Sequence, residues 1–155
     1  MWLLCNGKLQ TKDKLLQWSV VDNDNCVLCG WNESVNHLFF SCEFSSQVWR
    51  KMLYTNNFHI PNSWDQKLQK IYVDGVDNDF PRRLFKLVIS SAVYAIWSER
   101  NQRIFQQKCV EMDCIVACIT RIVRNRVDAW RGVSKTRKNW LLFIEWGFSI
   151  SIFEH

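Results

Sequence analysis

The sequence predicts a mostly helical fold, in which a small unit around clustered cysteines precedes a long helical pair. Three observations predict it. Apolar residues recur at helical spacing through the second half of the chain. Three cysteines and a histidine crowd into CVLCGWNESVNHLFFSC, residues 26–42. Glycine and proline are scarce, with 5 and 2 residues among 155, which disfavours long coil segments. Apolar residues make up 48% of the chain, including 9 Trp and 10 Phe, enough to build a core and to argue against general disorder.

The elements follow in chain order. LQTKDKLLQW (9–18) reads as a short helix, with Thr11 able to cap it and Asp13 in its first turn. Leu15, Leu16 and Trp18 supply its apolar side. SVVDNDN then reads as a short extended piece and a polar turn. EFSSQVWRKMLY (43–54) resumes helical spacing, with Phe44, Val48, Trp49, Met52 and Leu53 on one stripe. A short helix from Trp64 to Tyr72 follows Pro61. The Asp/Asn/Gly-rich stretch 74–79 divides the chain into units 1–73 and 79–155.

Residues 80–107 read as a long helix capped by Asp79, with Pro81 in the first turn, where its missing N–H costs nothing. Phe85, Ile89, Ala92, Ile96 and Phe105 face a core. Residues 111–131 form a second helix ending at Gly132. Its apolar stripe is Val116, Ile119, Val123, Val127 and Trp130. WLLFIEWGFSISIF (140–153) packs back on the pair as a helix or a strand.

Charge is uneven. Residues 1–78 carry 7 Lys/Arg against 8 Asp/Glu, and residues 79–155 carry 13 against 7. The basic half suggests an anionic partner, most commonly nucleic acid. Arg121, Arg124, Arg126 and Arg131, with Lys135, Arg137 and Lys138, form the candidate phosphate-binding surface. Its plainer alternative is a solvated basic face. Trp31, just after the second cysteine, either stacks on unpaired bases or packs over the cluster.

Seven cysteines do not make a closed disulfide set, and the first residues lack the pattern of a signal peptide. No apolar run reaches the ~18 residues of a membrane span, so no membrane partner is expected. Thiols in a reducing, intracellular compartment are the natural assumption, and clustered thiols there are usually metal ligands.

The spacing Cys26-x2-Cys29-x7-His37-x4-Cys42 supports that reading. A Cys-x2-Cys turn lets both thiolates face one ion, and Gly30 stands where such a turn needs a left-handed residue. His37 and Cys42 would diverge by about 140° on a continuous α-helix. They share an ion only if the helix is interrupted between them, with Leu38, Phe39 and Phe40 packed beneath. Four N/S ligands close a tetrahedral zinc sphere, so one structural zinc is expected, with no catalytic water. The fold class is thus a small zinc knuckle or hairpin with a helix, followed by a long helical pair.

Other clusters carry less. Cys109, Cys114 and Cys118 read as buried core thiols, not a second metal site. Asp74, Asp77 and Asp79 lack the pattern of a calcium loop. His59 has no partner base, acid or nucleophile in sequence. No nucleophile triad or phosphate loop is present, so neither enzymatic activity nor a small-molecule substrate is expected. A buried Arg100 would need a carboxylate from another segment.

Three stretches carry a family likeness: LQTKDKLLQW, CVLCGWNESVNHLFFSCEFSSQVWRKM and AVYAIWSERNQRIF. They resemble the zinc-binding domain that follows the reverse transcriptase domain in plant LINE-type (non-LTR) retrotransposons. The resemblance covers about residues 8–54 and 93–105. It implies Cys26, Cys29, His37 and Cys42 as zinc ligands, a retroelement origin, and RNA or single-stranded DNA as partner. It also implies nuclear as well as cytoplasmic residence and an upstream reverse transcriptase domain. It does not imply polymerase activity here, because no Tyr-x-Asp-Asp pair for two-metal chemistry is present. On this likeness the chain reads as a fragment of a longer retroelement frame.

Overall fold

A computed structural model describes residues 8–53 and 79–154. The chain passes through α1 (Lys12–Gln17), a π-helical turn (His37–Ser41) and α2 (Glu43–Leu53). It continues through α3 (Phe80–Gln106), α4 (Met112–Val127), α5 (Arg137–Trp146) and a final 3₁₀ turn (Ile150–Phe153). The fold is mostly α. Among the described residues the sole β pairing is an isolated antiparallel bridge between Asn25 and Asn32. No described helix is long and apolar enough to cross a membrane.

Helix α3 is the axis of the fold, and α2, α4 and α5 all pack against it, while α2 also touches α4. It starts where the sequence places it, with Pro81 in the first turn and Asp79 at the N-cap position in extended conformation, but the Asp79 side chain makes no capping hydrogen bond. It ends where Gln107 turns left-handed at φ 53°. Leu84, Val88, Ala92 and Ile96 bury one side of it, and Phe85, Ile89 and Val93 extend that side toward the neighbouring helices. These residues share one core with Val48, Trp49 and Met52 of α2 and with Ile115, Ile119, Val123 and Val127 of α4. That spacing is the apolar stripe of an amphipathic helix.

Several sequence expectations are corrected. Phe105 is 75% exposed, because at about 100° per residue it falls on the side of α3 opposite Ile96. Helix α1 is shorter than 9–18 and buries no side chain; Leu16 and Trp18 face outward. The second long helix ends at Val127, not 131, because the chain turns at Trp130, whose N–H bonds back to the Val127 carbonyl. Gly132 and Val133 then donate to the carbonyls of Glu154 and Ile152. Cys109, Cys114 and Cys118 are exposed, not core thiols. The helix placed at 64–72, the boundary at 74–78 and His59 lie outside the described residues.

The open question over residues 140–153 resolves as a helix and a turn. Asn139, Leu142 and Trp146 bury the inner face of α5, and Gly147 ends it at φ 62°. Trp140 stacks on Phe153, Phe143 packs tilted on the first and edge-on to the second, and Phe148 packs edge-on against Phe80 and face-on against Trp146. Much of the Trp and Phe excess is spent on this C-terminal aromatic packing, where such pairs each contribute ~0.5–1.5 kcal/mol beyond area burial.

Candidate metal centre

The loop before the π-helical turn is a knuckle. Gly30 N–H donates to the Cys26 carbonyl at 2.7 Å, and Cys26 N–H donates to the Trp31 carbonyl at 2.6 Å. Gly30 has φ +89°, which an L side chain rarely adopts. The backbone N–H groups of Leu28 and Cys29 point at the Cys26 sulfur.

The second ligand pair is brought together by the wide turn. Ser34 caps it: its Oγ accepts from the His37 N–H at 3.1 Å and its carbonyl accepts from Leu38 N–H at 2.8 Å. Cys42 N–H then donates to the His37 carbonyl at 2.7 Å, five residues back. One extra residue in the turn lets positions five apart approach as positions four apart do on an α-helix. Where the sequence suggests a broken helix, the chain makes a widened one followed by an extended residue at Cys42. The widening frees the Leu38 and Phe39 carbonyls from helical partners. Ser45 Oγ takes the first at 2.5 Å and Trp49 Nε1–H takes the second at 2.5 Å. The buried floor of Leu38, Phe39 and Phe40 is thereby built without orphaned polar groups.

Cys42 also begins α2. Its carbonyl accepts from Ser46 N–H at 2.8 Å, and the Ser45 N–H points at its sulfur. A thiolate there sits at the positive end of an eleven-residue helix.

The four ligand atoms of Cys26, Cys29, His37 and Cys42 all lie within 4.8 Å of one another. Thiolates bound ~2.3 Å from one tetrahedral zinc lie about 3.8 Å apart, so this cluster has the right size. Nε2 is the imidazole atom turned inward, 3.1 Å from Cys29 Sγ. Cys26 and Cys42 are buried, Cys29 and His37 half-buried. The side-chain interaction with Cys42, with burial, pushes the Cys26 thiol up. The same interaction, helped by the Ser45 N–H, holds Cys42 down. The donor set is consistent with one structural zinc: three soft sulfurs, one imidazole and no fifth ligand in the cluster. It is the sole such group of ligands among the described residues.

Glu33, between the ligands, does something the spacing does not reveal. It is 1% exposed, and its carboxylate meets Arg100 of α3, itself 2% exposed. Arg100 donates from both Nη2 and Nε, at 2.7 and 3.3 Å, to the two carboxylate oxygens. Glu33 Oε1 also accepts the Lys12 N–H at 2.7 Å, and Arg100 reaches the Gln10 carbonyl and Asn101. Trp97 lies 4.8 Å from the guanidinium. This is the carboxylate from another segment that a buried Arg100 requires. The one available signal is that Glu33 is the sole acid between Cys26 and Cys42.

The candidate nucleic-acid residues separate into two groups. Arg124 donates to the Trp146 carbonyl at 2.6 Å, Arg131 donates to the Asp128 and Trp130 carbonyls, and Lys135 lies 5.7 Å from the Phe153 ring. Arg121, Arg126, Arg137 and Lys138 are exposed and have no partner among the described residues. Trp31 is 75% exposed, so it does not pack over the knuckle.

Residues 1–49 match the family model for zinc-binding in reverse transcriptase. The matched family is a zinc-binding region, and no polymerase domain is matched. Comparison with curated proteins and with solved structures finds no match.

Proposed function

We propose that this chain, with its zinc-binding region of the reverse-transcriptase type, is a nucleic-acid-binding module that has no polymerase activity of its own. The observation that carries the reading is the unpaired cation set Arg121, Arg126, Arg137 and Lys138 in the same chain as the four-ligand cluster. Such groups neutralise phosphates and release counterions, which yields sequence-tolerant, salt-dependent affinity. Trp31, projecting from the knuckle, offers a face on which an unpaired base stacks. RNA or single-stranded DNA is the proposed partner. Origin in a plant non-LTR retrotransposon, action beside a reverse transcriptase domain, and residence in the nucleus or cytoplasm belong to the same proposal.

The test is to load the purified chain with zinc and titrate single-stranded RNA and DNA across salt concentrations. Binding that weakens linearly in log–log coordinates supports the reading. Absence of salt-sensitive binding to either strand overturns it.

A second reading is a protein-interaction or purely structural zinc module. Trp140, Leu141 and Ile144 favour it, because they expose apolar surface on one helix. Self-association without nucleic-acid binding in the same titration would select that reading.

A further inference from the structure

A cleft of about 300 Å³ lies where α3 and α5 begin, apart from the zinc cluster. Asp79, Arg83, Ser134, Thr136, Lys138 and Asn139 are among its walls. Three of these are charged, yet no two of them form a salt bridge with each other. Arg83 lies 4.2 Å from the Trp130 ring, which orients its guanidinium without using any of its hydrogen-bond donors. Lys138 has no partner among the described residues, and the Asp79 side chain does not cap its own helix. Asn139 is only 6% exposed. Its amide nitrogen donates to the Ser134 carbonyl at 2.9 Å, while its Oδ1 accepts nothing among the described residues. The oxygen itself is reached by solvent in the cleft, so a ligand's donor can replace water there.

We propose that this cleft binds a single nucleotide unit, with its phosphate on Arg83 and Lys138 and its hydroxyl or amino donors on Asp79 and Asn139. The two cations supply charge-assisted donors for phosphate oxygens, and Arg adds a planar fork. The acceptors account for why the ligand is not a bare anion: a carboxylate beside free phosphate repels it, whereas a sugar hydroxyl or a base amine satisfies it. The volume sits at the low end for ligand pockets, which suits one nucleotide and not a dinucleotide. The positive ends of two helices face the same space and add to the preference for phosphate. This refines the nucleic-acid reading and rests on it for the choice of ligand. The unit is either free or the terminal nucleotide of a strand.

The test is isothermal titration of the zinc-loaded chain with adenosine 5′-monophosphate, adenosine, inorganic phosphate and a twelve-nucleotide single-stranded RNA. The monophosphate is expected to bind, with adenosine and phosphate each at least about tenfold weaker. Lys138→Gln, an exposed change that leaves the core intact, is expected to weaken the monophosphate about tenfold or more, as is Arg83→Gln. Asp79→Asn is expected to weaken the monophosphate while leaving inorganic phosphate no weaker. Displacement of the monophosphate by the RNA assigns the cleft to the strand's end; simultaneous binding assigns it to free nucleotide. A monophosphate that does not bind, or binds Lys138→Gln and Arg83→Gln as it binds the parent, overturns the proposal. RNA binding that survives that failure leaves the module reading standing. Monophosphate binding without RNA binding upholds the cleft and overturns the module.

Discussion

Cys42 serves as both a zinc ligand and the cap of α2, and a serine substitution separates the two roles. Serine is itself a good N-cap, so Cys42→Ser keeps the helix start while removing a soft ligand. The expected outcome is loss of the bound zinc equivalent and a fall in helical signal, read by metal analysis and circular dichroism. Retention of one equivalent would remove Cys42 from the ligand set. The Glu33–Arg100 pair is the other residue-scale determinant. Both groups are buried, so removing one strands the other, at a cost of about 3–5 kcal/mol. Glu33→Gln and Arg100→Met are each expected to lower stability in urea unfolding by roughly that order, and the double variant by clearly less than their sum. Additive single effects would show that the pair is not coupled. Glu33 itself was legible only as an acid in an unusual place, since a residue 67 positions away completes it.

At the scale of elements, the π-helical turn depends on α2 for its unpaired carbonyls. Trp49→Phe keeps the aromatic packing on Phe40 but leaves the Phe39 carbonyl unpaired in the core. The expected loss is ~1–3 kcal/mol of unfolding free energy, with zinc affinity reduced because the turn carries both His37 and Cys42. Unchanged stability in the zinc-loaded protein would mean that water replaces the indole donor. The ligand spacing made an interruption between His37 and Cys42 readable in the sequence. Its form was not readable, because a widened turn and a broken one place the same residues within reach. The stripes of α2 and α4 were legible because their period is intrinsic to the helix. The exposure of Phe105, Cys114 and Cys118 was legible by the same period, since Phe105 lies about 180° round α3 from Ile96 and the two cysteines lie roughly 100° or more off the α4 stripe. The surface pair Lys51–Asp113 links α2 to α4, but with both groups exposed it contributes at most about 1 kcal/mol.

Across the whole molecule, the zinc-bearing segment and the C-terminal helices share one core, joined by α2 on α3 and by the buried ion pair. Function, on the proposed reading, lies on the solvated surface. Arg121→Gln together with Arg126→Gln is expected to lower the slope of log affinity against log salt by about 0.7 for each RNA phosphate that goes unneutralised. An unchanged slope would leave these two arginines as ordinary solvated charges. By itself the sequence determined the helical class, the four-ligand constellation, its structural character and the bias of positive charge. Each of those follows from local spacing, ligand chemistry or composition, which need no partner elsewhere in the chain. Only the tertiary structure decided which cations are free. Arg124, Arg131 and Lys135 are engaged within the fold, while Arg121, Arg126, Arg137 and Lys138 are not, and Arg83 and Lys138 meet at one cleft. It likewise decided that Glu33 closes on Arg100. The physical reason is the same in each case: a side chain's role is set by which groups from distant segments arrive within hydrogen-bonding distance, and helical periodicity carries no trace of that arrival.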